Sequence, residues 1–210
     1  MKKTAILIAC LAATAFAGEE LVPATTETVI APAAPTDFAL EATAGYNFAS
    51  RDIFKDTKKL STISADLTGV WALGANDAVT LRFGYGYGDN TDNWGDGEKA
   101  KFHLHSFYLM PGYRYTTPVA DGLNAFAGVN LGVINHSVKY HDIPWGDKLH
   151  DSAWGFAYSA ELGVTYYLSS STYLLAAYQF AGSTATPKFG DESARKQYYH
   201  GLRLGVGCKF

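Results

Sequence analysis

The chain has 210 residues, among them 30 aromatics (14 Tyr, 12 Phe, 4 Trp), 21 Gly and only 2 Met, with 18% charged residues. That aromatic and glycine load with so few charges excludes a disordered chain and a helical bundle, and it favours many short strands in one all-β domain of ~200 residues. A formal net charge of −3, with no Lys/Arg block, excludes nucleic acid as a partner.

Met1-Lys2-Lys3, the apolar run from Thr4 to Ala17, and Ala15-Phe16-Ala17 before Gly18 have the layout of a secretory signal peptide over residues 1–17, too short to span a bilayer as a helix. Leu7-Ile8-Ala9-Cys10 also fits a lipoprotein processing box with the lipid on Cys10, although it leaves a short apolar core before cleavage. Signal cleavage removes Lys2, Lys3 and Cys10; 15 remaining bases against 20 acids give −5, and Cys208 then has no intramolecular partner. Residues 18–37 are rich in Ala, Pro and Thr and show no period, as expected of a flexible leader that cannot bury enough apolar surface to order itself.

From Phe38 the period is two. Strands are predicted over 38–48, 61–73, 79–88, about 101–116, from 123, 154–168, 172–181 and 198–210. In the first, Phe38, Leu40, Ala42, Ala44, Tyr46 and Phe48 oppose Ala39, Glu41, Thr43, Gly45 and Asn47. The others repeat this division, except that both faces of 172–181 are apolar; Leu174, Ala176, Tyr178 and Phe180 are assigned to the outside. Phe102-His103-Leu104-His105 has inverted parity, which predicts a β-bulge near His105. Short turns at 74–77, 118–122 and 169–171 alternate with long polar loops at 49–60, 89–99, 139–152 and 182–195. The fold class expected is an all-β, eight-stranded antiparallel up-and-down transmembrane β-barrel over 38–210, with both ends of the domain on the short-turn rim.

The chemistry of the two faces decides which side meets lipid. The polar face is Gly, Ser, Thr and Asn with a few charges of both signs, unlike the Lys/Glu-rich exterior of a water-soluble barrel. The apolar face places aromatics at the strand ends, including Trp71, Tyr85, Tyr113, Trp154, Tyr166 and Phe180, with Ala, Leu and Val between them. Such grading predicts two interfacial girdles around an apolar band ~25 Å tall.

Ser106-Phe107-Tyr108-Leu109-Met110-Pro111-Gly112-Tyr113-Arg114-Tyr115 and the ending Gly201-Leu202-Arg203-Leu204-Gly205-Val206-Gly207-Cys208-Lys209-Phe210 resemble bacterial outer-membrane β-barrel proteins of the small OmpA/OmpX type. The resemblance covers about 38–210. It implies that Tyr198, Leu202, Leu204, Val206 and Phe210 form an assembly signal read by the barrel-assembly machinery. It also implies a place in the outer membrane, N- and C-termini on the periplasmic side, with lipid and lipopolysaccharide as neighbours. No residues follow Phe210 to form a peptidoglycan-binding domain, so anchoring by that route is not expected.

Parity sends Glu41, Asp66, Arg82, Arg114, Glu161 and Arg203 into the lumen. Three acids and three bases in a narrow interior persist only as partners, so a charge network is expected there, either as a plug or as a gate. Glu41, Arg82 and Arg114 count to a lower layer, with Asp66, Glu161 and Arg203 above.

His103 and His105 share a face, and a hairpin brings them near His136; they would form a metal-ligand set only if the bulge near His105 exists, and neither metal nor cofactor is expected. Catalysis is not expected either: His105-Ser106 and His136-Ser137 are sequence neighbours and therefore point to opposite faces. Trp94 and Trp145, in Gly/Asp-rich loops, are candidate contacts for an extracellular ligand or host surface. The function expected is an envelope-structural and surface-recognition role of adhesion type through the four long loops. The alternatives are a small gated pore and, behind it, a lipid-modifying enzyme.

Overall fold

The protein is described by a computed structural model covering residues 38–50, 59–95, 98–142, 148–189, 192–194 and 196–210. The signal peptide, the 18–37 leader, Cys10 and Trp145 lie outside these residues, as does the side chain of Trp94. The strands are β1 (Phe38–Ala49), β2 (Thr62–Ala72), β3 (Asp77–Gly95), β4 (Glu98–Ala120), β5 (Leu123–Asp142), β6 (Lys148–Tyr167), β7 (Thr172–Ser183), β8 (Lys188–Phe189), β9 (Glu192–Ser193) and β10 (Tyr198–Lys209). Eight of them close into a barrel in the order β1-β10-β7-β6-β5-β4-β3-β2, every pairing antiparallel, while β8 and β9 form a small separate hairpin. The expected eight-stranded fold holds.

Alternation places the apolar set outward. Leu67, Phe83, Leu109, Val129, Leu162 and Leu204 are exposed large hydrophobics, whereas Glu41, Asp66, Arg82, Arg114, Glu161 and Arg203 are buried. In β7 the inward set is Tyr173, Leu175, Ala177 and Gln179. β1 has 12 residues; at ~3.3 Å per residue and a tilt of ~45° such a strand rises about 28 Å, close to the ~25 Å of an outer-membrane apolar band.

The short connections on one rim are Leu73–Asn76, Asp121–Gly122 and Leu168–Ser171. Gly122 takes φ 69°, the left-handed conformation that a side chain disfavours and the two-residue turn between β4 and β5 requires. In the third turn the Ser169 hydroxyl accepts from the amides of Ser171 and Thr172.

Three sequence expectations fail. The segments 89–99 and 139–152 are mostly strand: β3 to β6 run 19 to 23 residues, well beyond the neighbouring strands of 11 or 12. Main-chain pairing continues the two hairpins upward, where the outward apolar period that marks a lipid-facing strand is absent from the sequence. In 182–195, Gly182 and Ser183 end β7, and β8 and β9 lie further on.

The bulge near His105 does not exist either. β4 pairs β3 without a shift from Tyr115 to Lys99, and the shifts that do occur lie between Asn93 and Gly95 and between Pro118 and Ala120. Parity is unbroken: Phe102, Leu104 and Ser106 are buried inside while His103 and His105 face outward. What inverts is polarity. Below Ser106 the barrel is apolar outside and polar inside; above it the inside is apolar and the outside polar, as in a water-soluble protein.

Candidate functional site: the lumen charge network

The six charged residues that parity directs inward meet in one ion-pair network. Glu161, on β6, is its hub: its carboxylate lies 2.6 Å from Arg82 Nη2, 2.5 Å from Arg203 Nη1 and 3.5 Å from Arg114 Nη2. Arg114 also grips Glu41 with both terminal nitrogens, at 2.5 and 2.9 Å. Arg203 Nε reaches Asp66 at 3.2 Å. Glu161 thus joins the lower layer of Glu41, Arg82 and Arg114 to Asp66 and Arg203. All six are at most 5% exposed, so desolvation is offset only through mutual contact and added hydrogen bonds.

Those added bonds come from residues that sequence reasoning did not single out. The Tyr173 hydroxyl donates to Glu41 at 2.8 Å, Tyr108 donates to Asp66, Arg203 Nη2 donates to Thr43 Oγ1 at 2.7 Å and Arg82 Nη1 to Gln179 Oε1 at 3.0 Å. The Arg114 guanidinium stacks 4.5 Å over the Phe126 ring. Tyr108 crosses to Asp66 over Gly84, where a Cβ would stand 2.2 Å from both the Tyr108 ring and Asp66 Oδ1. A buried tyrosine normally finds a polar partner, so inward parity at Tyr108 and Tyr173 was the available signal.

Above the network lies a cavity of about 60 Å³, whose lining includes the polar Asn47, Ser64, Ser106, His136 and Tyr199 and the apolar Met110, Ile134 and Ala157. Asn47 Oδ1, His136 Nε2 and Tyr199 Oη are buried there without a hydrogen-bond partner among the described residues. A polar chamber of this size accommodates several water molecules, which is how such atoms are ordinarily satisfied. A Cβ added at Gly86 meets nothing nearer than 3.6 Å, so Gly86→Leu can grow into the chamber. Displacing water from orphaned polar groups at ~1–3 kcal/mol each should lower the urea unfolding midpoint, whereas Gly86→Ala should leave it nearly unchanged. A rise in the midpoint of Gly86→Leu would show a dry void.

An apolar cluster lies beyond the chamber. Leu60, Phe102, Leu104, Val138 and Ala194 form a buried apolar cluster with Tyr140 packed against it. Ala185, 1% exposed, adds contacts to Met110, Ile134 and Ala157. Thr184 holds this connection down by exchanging hydrogen bonds with the Phe156 backbone.

The three histidines considered as a ligand set are not brought together: His103 and His105 face outward, while His136 is 2% exposed and faces the chamber, because no bulge moves them to one side. Among the described residues no group of three or more His, Cys, Asp and Glu is arranged to hold a metal ion. Serine–histidine contacts do occur, but across strands: Ser106 Oγ to His136 Nδ1 at 2.8 Å and Ser137 Oγ to His150 Nε2 at 2.9 Å. Among the described residues the buried pair has no carboxylate on the second imidazole nitrogen, and His136 Nε2 has no hydrogen-bond partner. Of the proposed assembly residues, Leu202, Leu204 and Phe210 are exposed on the outer surface, and the Phe210 ring stacks 5.9 Å from Phe38.

A family model described as outer membrane protein beta-barrel domain matches residues 4–210. Among solved structures, Neisserial surface protein A is similar to this chain with a TM-score of 0.55 at 15% identity, covering 83% of this chain and 97% of its own. Ail, the attachment invasion locus protein of Yersinia pestis, solved with the heparin analogue sucrose octasulfate, has a TM-score of 0.48 at 14% identity, covering 83% and 99%. OprG from Pseudomonas aeruginosa has 0.45 at 18%, covering 82% and 95%. No curated protein matches. With its family model spanning nearly the whole sequence and its strands closing into the corresponding barrel, the chain belongs to the outer membrane β-barrel domain family and is a protein of the bacterial outer membrane.

Proposed function

We propose that the protein is a non-enzymatic envelope barrel that works by surface recognition of adhesion type, its lumen serving as a rigid pillar. The observation that supports this reading is a filled lumen: a six-residue ion-pair network beneath a buried apolar cluster. A barrel so filled offers partners its rim, and four strands of 19 to 23 residues raise that rim above the apolar band on one side. In this reading the short turns and both ends of the barrel face the periplasm, the raised rim faces outward, and the final strand ending at Phe210 is what the barrel-assembly machinery engages. Trp94, near the C-terminal end of β3, and Trp145, in the sequence between β5 and β6, are the contacts assigned to an extracellular ligand or host surface.

The test is adherence of cells displaying the protein to surfaces coated with extracellular-matrix protein or glycosaminoglycan. Trp94→Ser with Trp145→Ser should reduce adherence several-fold at equal display, since aromatic anchors dominate such contacts. Unchanged adherence would remove recognition from the reading.

A further inference from the structure

Hydrogen bonding around the chamber above the charge network is uneven. Ser64 Oγ accepts from Asn47 Nδ2 at 3.3 Å, and Ser106 Oγ lies 2.8 Å from His136 Nδ1. Gln179 Oε1 accepts from Arg82 Nη1, and Ser183 Oγ accepts from the Ala185 amide. Three atoms that border the chamber are left without a partner among the described residues: Asn47 Oδ1 on β1, His136 Nε2 on β5 and Tyr199 Oη on β10. Asn47 is 7% exposed and His136 2%, so bulk water does not satisfy them.

The chemistry of these three atoms complements one hydroxyl. Asn47 Oδ1 only accepts, a phenol both donates and accepts, and the imidazole nitrogen does either according to the tautomer that Ser106 selects. A single O–H among them donates to Asn47 and accepts from Tyr199 or His136. The opposite character meets it on the apolar residues: Met110, Ile134 and Ala157 pack in one buried cluster. A water resting against that cluster lacks the two to four polar partners that hold a water in place. No Asp, Glu, Lys or Arg lines the chamber among the described residues, so an ion there would have no counter-charge in the wall.

We propose that the chamber is a binding site for a small neutral hydroxylic molecule, a short alcohol of two or three carbons. Its O–H meets Asn47, His136 and Tyr199, and its carbon end lies against Met110, Ile134 and Ala157. A volume of about 60 Å³ is the room of a few waters, which excludes acyl chains and sugars. Bound there, the alcohol ties β1, β5 and β10 together and stabilises the barrel by mass action. The site depends neither on surface recognition nor on which rim faces outward.

Nuclear magnetic resonance of the full-length protein in lipid nanodiscs, labelled at methionine methyls and titrated with ethanol, tests this. Met1 and Met110 are the chain's 2 methionines, so the Met110 methyl is a resolved reporter inside the site, and Met110→Leu identifies its signal. That signal should shift saturably with ethanol and show nuclear Overhauser contacts to ethanol protons. Tyr199→Phe should weaken the apparent affinity several-fold through the loss of one hydrogen bond. Gly86→Leu, whose side chain grows into the chamber, should abolish the saturable shift. Heat-modifiable gel migration shows whether each variant is folded, and the wild-type titration decides by itself where one is not. A shift that rises linearly with ethanol, as partition into the bilayer gives, would overturn the proposal and leave the chamber to water alone. Unchanged affinity in either folded variant would overturn it as well.

Discussion

Glu161→Gln should lower the urea unfolding midpoint of the barrel more than neutralisation of either other lumen acid. Among the described residues Glu161 carries the one carboxylate that touches Arg82, Arg114 and Arg203 together. Its loss leaves a net positive charge in a lumen where these arginines are at most 4% exposed, and removing one partner of a buried ion pair costs ~3–5 kcal/mol. Arg114 keeps Glu41, and Arg203 keeps Asp66 and Thr43, but Arg82 retains only its bond to Gln179. Adding Arg203→Met restores neutrality. The double variant should therefore lose less than the sum of the single losses, by a coupling on the order of 1–3 kcal/mol. Additive losses would mean that the side chains are wet and act independently.

Leu67→Arg and Leu162→Arg should each cost ~2–4 kcal/mol, the penalty of a cation at the lipid-facing midplane of a barrel. Both leucines face outward, 51% and 67% exposed, next in sequence to buried Asp66 and Glu161. Ser152→Arg, also outward but beyond Trp154, should stay within about 0.5 kcal/mol of wild type. Equilibrium refolding of the three variants into lipid vesicles measures the contrast. A similar cost at all three positions would move the membrane boundary away from the point where the two faces exchange polarity.

Strict alternation made the barrel readable, because a one-residue error would turn Leu40 and Glu41 to the wrong sides together. The same parity identified all six charged lumen residues, yet could not say that Glu161 joins the two layers. That depends on strand stagger, which brings Glu161 on β6 within reach of Arg82 on β3 and Arg203 on β10. At Phe102 to His105 the inversion is visible in the sequence, but its cause is the solvent and not a backbone bulge: water replaces lipid outside, so Leu104 is buried inside while His103 faces outward. The raised hairpins escaped notice for a related reason. Alternation reports a difference between two environments, and above Tyr87 and Trp154 the outer side chains no longer announce lipid.

The claim on which the rest depends is that the lumen is closed at the Glu161 network. Planar-bilayer recording of the purified wild-type protein tests it most directly. The predicted trace is flat, without stepwise current above the lipid baseline at any applied voltage that the bilayer survives. Regular, long-lived single-channel steps from the wild-type barrel would contradict a sealed lumen and make the network the gate of a pore.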